Sequence, residues 1–541
     1  MKIDSGELKQ STPDKGIEQT QSQILIGLAS SCELFHNPDH EVFATITTDS
    51  RRETLRIRSK GFRRWLLHRF YKKENKASSA QAMTDTLGVL EARAEFEGPE
   101  YPIYVRIAGL DRKIYLNLSN DKCEVVEIDP DGWRIITESP VKFINPRGAL
   151  PLPRPVRGGS ICELRSFLNL DSENDWILFV ATLMAAFKPS GPYPVTSFQG
   201  EQGSAKSTAM RVKRALIDPA TAPLRTTPRD SRDLMIHAKN SWVLSFDNVS
   251  RIKEWLADDF CRLATGGGFA TRELYTDNEE NIIDAQRPVD LNGIEEIVTR
   301  DDLLDRTVII KCPTIFETGR KDEQTFWREF KEAQPRILGS ILYAVSAALK
   351  KFPSVKMERK PRMADFAKWV TAAEPGLGWE PGAFMQAYTA NRAAAVEMGL
   401  ESSPVAQAVQ ELIKVTPEWR STATDLLDEL EKYVSEKITK SKSWPKSPSA
   451  LSGQLRRLAP NLRAVGIEID FDERESHSGK RFLRIRKAEK NAVTAVSAVT
   501  QGKELFIGKG LAGDESDGGD DDLPLVSAPD PSPDESWEVT L

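Results

Sequence analysis

The stretch YPVTSFQGEQGSAKSTAMRVKRAL, Tyr193 to Leu216, constrains the fold more than any other part of the chain. An apolar run of strand character leads into a turn containing Gly200 and Gly203. A Lys-Ser-Thr triplet then opens a helical pattern that stops at Asp218-Pro219. This order matches the phosphate-binding loop G-x-x-x-x-G-K-[ST], in which backbone N–H groups and the positive end of a helix surround phosphate oxygens. Ala205 stands where the pattern has its second glycine. Alanine is harmless there if helix geometry has already begun and strained if the residue needs positive φ; the first case is the expectation. Gly200, Glu201, Gln202, Gly203, Ser204, Ala205, Lys206, Ser207 and Thr208 form the candidate cradle, with Lys206 reaching β- and γ-phosphates and Ser207 a magnesium ion.

Further short apolar strands follow at intervals filled by helical patterns, which predicts a parallel sheet built through crossover helices. WVLSFDN ends one of them with Asp247, where a carboxylate holds magnesium through water. Taken alone, the segment reads better as a strand that happens to end in Asp-Asn at a turn. PVDLNG ends another at Asn292, placed to sense a γ-phosphate or orient water. In TRDDLLDRTVII, Arg300 and Arg306 flank a short helix. An arginine there can neutralise charge in phosphoryl transfer from a neighbouring subunit, or simply pair with Asp301, Asp302 or Asp305.

The set GEQGSAKST, LSFDN, ATGGGFATRELYTD, LNG and Arg306 resembles the superfamily 3 helicases over about Asp175 to Pro313. That AAA+ branch includes viral replicative helicases and the helicase half of phage and plasmid primase-helicases. CRLATGGGFATRELYTD and RPVDLNGIE look especially like bacterial ATP-binding proteins of mobile elements. The resemblance implies ATP and Mg2+ as cofactors, a homo-oligomeric ring with ATP between subunits, and single-stranded or forked DNA as partner. It gives catalytic roles to Lys206, Asp247, Asn248, Asn292 and Arg306, and metal ligation to Ser207 and Asp247. Two departures matter. Many relatives place Glu or Asp where this chain has Asn248, and an amide orients water without taking its proton. The hairpin that such helicases turn toward DNA would be FATRELYT with NIIDAQ, yet its tip, Asp277-Asn278-Glu279-Glu280, is acidic and repels phosphate. These departures keep open a nucleotide-dependent DNA-binding switch or loader that unwinds nothing.

At 541 residues the chain exceeds one core. The expected architecture is multidomain: an α/β phosphate-loop NTPase core of AAA+ type (161–320) with flanking units. These are a disordered lead (1–22), an α+β accessory domain (23–144), a Pro-rich linker (145–160), a helical region (321–414) in which Pro335 opens a helix, a winged helix (421–487) and an acidic disordered tail (488–541). Net charge is −6, but Leu511–Leu541 holds ten acidic residues and no Lys or Arg, so the remainder is mildly basic at +4.

Candidate DNA contacts follow from that surplus. Arg58, Arg63 and Arg64 lie in the aromatic-interleaved run Arg51–Lys73, where phosphate pairing and base stacking combine. An amphipathic helix with its arginines in water is the compatible alternative. Arg272 lies beside the hairpin, Arg456 and Arg457 on the would-be recognition helix, and Lys480 and Arg481 on the wing. Five scattered cysteines form no C-x-x-C pair, and the histidines do not cluster beyond His36 and His40. The longest apolar run, Trp176–Phe187, is too short to span a bilayer. No secretory signal opens the sequence, and a reducing cytoplasm is the expected compartment.

Overall fold

The computed structural model describes residues 19–48, 51–272, 280–283, 285–293, 297–298, 300–315, 321–358, 360–474 and 481–488, with backbone alone at 269–272, 280–283 and 472–474. Thr20 and Gln23 form a capping box at the start of α1 (Gln21–Ala29), inside the stretch expected as a lead. The antiparallel sheet β1 (Glu33–His36), β2 (Val42–Thr48) and β3 (Arg51–Arg56) follows, covered by α1, α2 (Lys60–Glu74) and α3 (Ala80–Phe96). Serine caps, Ser59 and Ser79, start the two latter helices. Leu25, Phe62, Leu66, Phe70 and Leu90 fill the core between them.

After β4 (Ile103–Tyr104) comes a meander of β5 (Ile107–Leu110), β6 (Lys113–Asn117), β7 (Val125–Asp129) and β8 (Gly132–Ile136), and β9 (Lys142–Phe143) returns to pair with β4. The inner face of the meander, Ile114, Leu116, Val126 and Ile128, shares one core with helices more than forty residues later in the chain. The expected linker 145–160 is packed as well. The Leu152 amide donates to the Leu118 carbonyl and the Val156 amide to the Pro335 carbonyl, both at 2.9 Å.

The central layer is a four-stranded parallel sheet in the order β11-β14-β10-β15, with β10 (Val195–Gln199) and β14 (Val289–Asn292) inside and β11 (Leu244–Phe246) and β15 (Thr307–Lys311) at its edges. Its mostly apolar strands suit a sheet buried on both faces. Connecting elements are α5 (Lys206–Ile217), α6 (Ser231–Asn240), α7 (Glu254–Thr265), the hairpin β12 (Phe269–Arg272) with β13 (Glu280–Ile283), and α8 (Asp301–Leu304). The hairpin tip lies outside the described residues. Ahead of the sheet in sequence, α4 (Glu173–Ala186) is buried from Asp175 onward, as its apolar run requires.

Three long helices, α9 (Glu323–Lys351), α10 (Ala364–Leu377) and α11 (Ala383–Glu401), complete this body. Pro335 does not open α9. Asp322 caps the helix, and Pro335 lies within it. Around Pro335 the 156–159 strap crosses so closely that a Cβ on Gly339 would meet the Val156 carbonyl oxygen at 1.9 Å. The last unit runs α12 (Pro404–Val415), β16 (Glu418–Thr422), α13 (Ala423–Leu430), α14 (Glu436–Thr439), α15 (Pro448–Ala464), β17 (Ile467–Arg474) and β18 (Arg481–Lys487). Its antiparallel sheet has the order β16-β18-β17. Helix α12 belongs to the same core as α15, so this unit begins before residue 421.

Candidate nucleotide site

The loop between β10 and α5 is held by groups on three sides. Gly200 has φ 152°, and a Cβ there would lie 2.1 Å from the Cys312 carbonyl oxygen, so only glycine lets the loop pass β15. Asn169 donates to the carbonyls of Ser204 (3.1 Å) and Pro313 (2.5 Å), and Ser204 Oγ to the Glu201 carbonyl (2.9 Å). Ala205 is the point of correction. It has φ 62° and ψ 25°, the left-handed conformation, and helix geometry begins only at Lys206. The missing glycine is therefore felt in the backbone, at a cost of about 1–2 kcal/mol for an L-residue.

Lys206, only 8% exposed, turns its ammonium back over the loop, donating to the carbonyls of Gly200 (2.7 Å) and Glu201 (2.6 Å) and to Ser204 Oγ (3.2 Å). Burial lowers its pKa from the ordinary lysine value, opposed by Cys312 and Asp247 nearby.

Sheet order decides what faces this loop. Because β14 lies between β10 and β11, with Phe198 opposite Asn292 and Phe246 opposite Leu291, Asp247 and Asn292 emerge side by side at the carboxyl edge. Ser207 Oγ donates to Asp247 Oδ1 at 2.8 Å, and Asn292 Nδ2 donates to the same carboxylate oxygen at 2.6 Å and to Ser207 Oγ at 3.2 Å. The Asn248 backbone N–H donates to Asn292 Oδ1 at 2.7 Å. A hydroxyl and one carboxylate at this spacing fit Mg2+, which takes one or two protein oxygens and completes its octahedron with water and phosphate. Among the described residues no group of three or more His, Cys, Asp and Glu is arranged to hold a metal. Asn248 has φ 55°, a conformation that asparagine tolerates better than glutamate. The backbone itself thus disfavours glutamate at this position, but not aspartate.

Beneath this layer lies a buried polar row that sequence reasoning missed. Thr196, Asp290 and Ser245 stand opposite one another on β10, β14 and β11, with Asp290 two residues before Asn292 and Ser245 two residues before Asp247. From α5, Lys213 Nζ reaches Asp290 Oδ1 at 2.6 Å and Thr196 Oγ1 at 2.9 Å, with both partners of the ion pair essentially inaccessible. A second network closes the far end of α5. Asp218 accepts from Arg106 Nε (3.2 Å), Arg214 Nη2 (3.3 Å) and the amides of Trp242 (2.9 Å) and Val243 (3.1 Å). Arg106 sits just before β5, so this network bolts the meander to the sheet. An acid inside PVDLN and a lysine inside AMRVKRAL were the available signals.

The remaining candidates are dispersed. Arg306 lies at the amino end of β15, one strand length or about 16 Å from the loop that follows β10. Its Nη1 donates to the Asp302 carbonyl at 2.7 Å, and its buried Nε has no partner among the described residues. Arg300 is held by Asp302 (2.9 Å) and Asp258 (2.8 Å). Arg58 is paired with Glu91, whereas Arg63 and Arg64 are exposed on α2. Arg456 lies over the Phe471 ring at 4.5 Å, Arg457 acts electrostatically on Asp301, and Arg481 is exposed at the start of β18. The Arg272 side chain and Lys480 lie outside the described residues.

Residues 161–395 match the family model of the actinomycete integrative conjugative element (AICE) replication protein, and residues 405–500 match the AICE RepA C-terminal domain. The two matches follow one another in that order along the chain. The two stretches include the parallel sheet with its loop and the helix-and-hairpin unit respectively. No curated protein matches. Among solved structures, the chain is similar to "SCCmec type IV Cch - active helicase", at 14% identity and TM-score 0.41, covering 85% of this chain and 93% of that one. It is also similar to the apo NrS-1 C-terminal region, at 14% identity and TM-score 0.38, covering 86% and 99%. Among the described residues no helix is long and apolar enough to cross a membrane.

Proposed function

We propose that this chain is an ATP-hydrolysing motor of the superfamily 3 helicase type that acts on DNA in the replication of an integrative element. The observation that carries the reading is the convergence of Lys206, Ser207, Asp247 and Asn292 at one edge of a parallel sheet, within hydrogen-bond distance of one another or of the loop. A triphosphate would offer Lys206 charged acceptors in place of neutral carbonyls, a stronger hydrogen bond for the same donor. Mg2+ would be held by Ser207 and Asp247 and would neutralise charge on the phosphates. Asn292 would fix Asp247 and, with Asn248, the attacking water.

Arg306 cannot reach its own loop, so on this reading it serves a neighbour's nucleotide in a homo-oligomeric ring. The last unit has the order of a winged helix, with α15 as the helix and β17–β18 as the wing, a module that contacts DNA in many proteins. The family matches support a role in replication.

A second reading, a nucleotide-dependent switch or loader, is favoured by Asn248, whose side chain cannot act as a base. Steady-state phosphate release with and without single-stranded DNA, paired with strand displacement on a forked duplex, separates the two. DNA-stimulated turnover with displacement supports the motor, and ATP-dependent oligomerisation without displacement supports the switch. Lys206→Ala is expected to abolish turnover in either case. Hydrolysis at the wild-type rate in that variant would overturn the site.

A further inference from the structure

The basic run Arg51–Lys73 divides into two halves that the fold treats differently. On β3 and just beyond it, Arg52 pairs with Glu33 (3.3 Å), Arg56 with Glu41 (2.9 Å) and Arg58 with Glu91, while Arg51 donates to the Asp121 carbonyl at 2.9 Å. These charges are spent inside the protein. On α2, Arg69 is also tied down, donating to Ser31 Oγ at 3.0 Å and stacking over Trp65. Lys60, Arg63, Arg64 and Lys72 are different. All four are exposed, and among the described residues none has a carboxylate within ion-pair distance.

Helical spacing gathers these four cations. Positions 60, 63, 64, 68, 71 and 72 recur at i, i+3, i+4, i+8, i+11 and i+12 and so share one face, opposite the fully buried Phe62, Leu66 and Phe70. The face is about 18 Å long at the helical rise per residue. Solvated helix faces ordinarily mix signs, because like charges three or four residues apart destabilise a helix. Here the cations follow one another with no acid between them, from Lys60 to Lys73. Tyr71 lies on the same face, 56% exposed, beside Lys72. Cations for phosphates and an open ring for a base are the combination that holds an unpaired strand.

The other basic helix is less available. On α15, Asn461 donates to Asp301 Oδ1 at 2.8 Å, and Arg457 lies close enough to Asp301 to favour its charged form, so that part of the helix is docked on α8.

We propose that the exposed face of α2 binds single-stranded nucleic acid, with phosphates on Lys60, Arg63, Arg64 and Lys72 and a base stacked on Tyr71. The inference rests on the reading that this chain acts on DNA and names where the strand lies. It concerns binding without nucleotide, so it stands or falls apart from the ATPase site.

The test is fluorescence anisotropy of the full chain with a labelled oligo-dT strand and with a duplex of equal length, without nucleotide, across a salt series. Arg63→Ala with Arg64→Ala is expected to weaken single-strand binding at least tenfold and to reduce the slope of log affinity against log salt by about 1.4, at about 0.7 per phosphate contact. Tyr71→Ala is expected to weaken it by about tenfold with the slope unchanged, because stacking releases no counterions. Lys206→Ala should bind like the wild type, which separates failure of the ATPase reading from failure of this one. An unchanged slope and affinity in the double variant would overturn the interface. Tighter binding of duplex than of single strand would overturn the assignment of an unpaired strand. The substituted side chains are exposed, and unchanged thermal melting of the variants checks that the fold is intact.

Discussion

Ala205→Gly separates two conformations of the loop by the sign of its effect. In the structure, Ala205 has φ 62° and ψ 25°, and no side-chain cap bond compensates. Relief of the left-handed conformation is worth about 1–2 kcal/mol. Two terms oppose it. Glycine makes the unfolded chain more disordered, at about 0.4–1 kcal/mol, and the half-buried methyl contributes a few tenths. The expected net effect is a gain of about 0.5 kcal/mol, equivalent to a degree or two in the melting temperature for a body of this size. If residue 205 were instead the first helical residue, glycine would cost about 0.5–1 kcal/mol. The signs are opposite. Differential scanning calorimetry of Ala205→Gly against the wild type, with Ala205→Val as a third point, reads the sign directly. Valine, stiff at its β-carbon, is expected to destabilise by more than alanine's own strain. ATP affinity should stay within about threefold in the glycine variant, because the backbone path is already the one glycine prefers. A lower melting temperature for Ala205→Gly would refute the reasoning.

Two further outcomes follow from buried charge. Asp290→Asn leaves the Lys213 ammonium without its counter-charge in a fully buried site and is expected to cost about 3–5 kcal/mol, whereas Lys213→Met with Asp290→Leu should be neutral or stabilising. Denaturant melts of the three chains check this, and a double variant as unstable as the single would contradict it. Asp301 is pushed up to about 6, chiefly by burial and then by Asp302, so the folded state favours its neutral form. Its contribution to stability is full below the unfolded value near 4 and is lost as pH rises to about 6, by no more than about 2 kcal/mol once solvent screening is discounted. Asp301→Asn should remove that slope, measured as melting temperature between pH 4 and 7, and a slope that persisted would assign it to other groups.

The parallel strands were legible because burial on both faces writes each as an apolar run, and because Asp247 and Asn292 mark where two of them end. Their adjacency was not legible. It depends on β14 lying between β10 and β11, a matter of strand order that no local pattern encodes. Pro335 misled for a related reason. Proline is favoured at the first helical position, and only the strap, whose Val156 amide takes up the Pro335 carbonyl, shows that the helix runs through it. The meander read as part of a separate domain, yet Ser346 on α9 donates to the Asp129 carbonyl at 2.6 Å across 217 residues of sequence.

Ala205 and Asn248 carry the sharper lesson. Both occupy left-handed backbone in the loops that frame the site, and each departs from the residue its motif expects. At 205 the departure is a strain, since alanine has no means of easing positive φ. At 248 it is an accommodation, since asparagine is among the few side chains at home there. Any acid introduced at 248 to supply a base must therefore be compared with a glycine at the same position. Otherwise a change in turnover cannot be told apart from a shift of the backbone that aligns Asp247 with Ser207. Glycine keeps the conformation and removes the amide, so the difference between glycine and aspartate at 248 isolates the carboxylate itself.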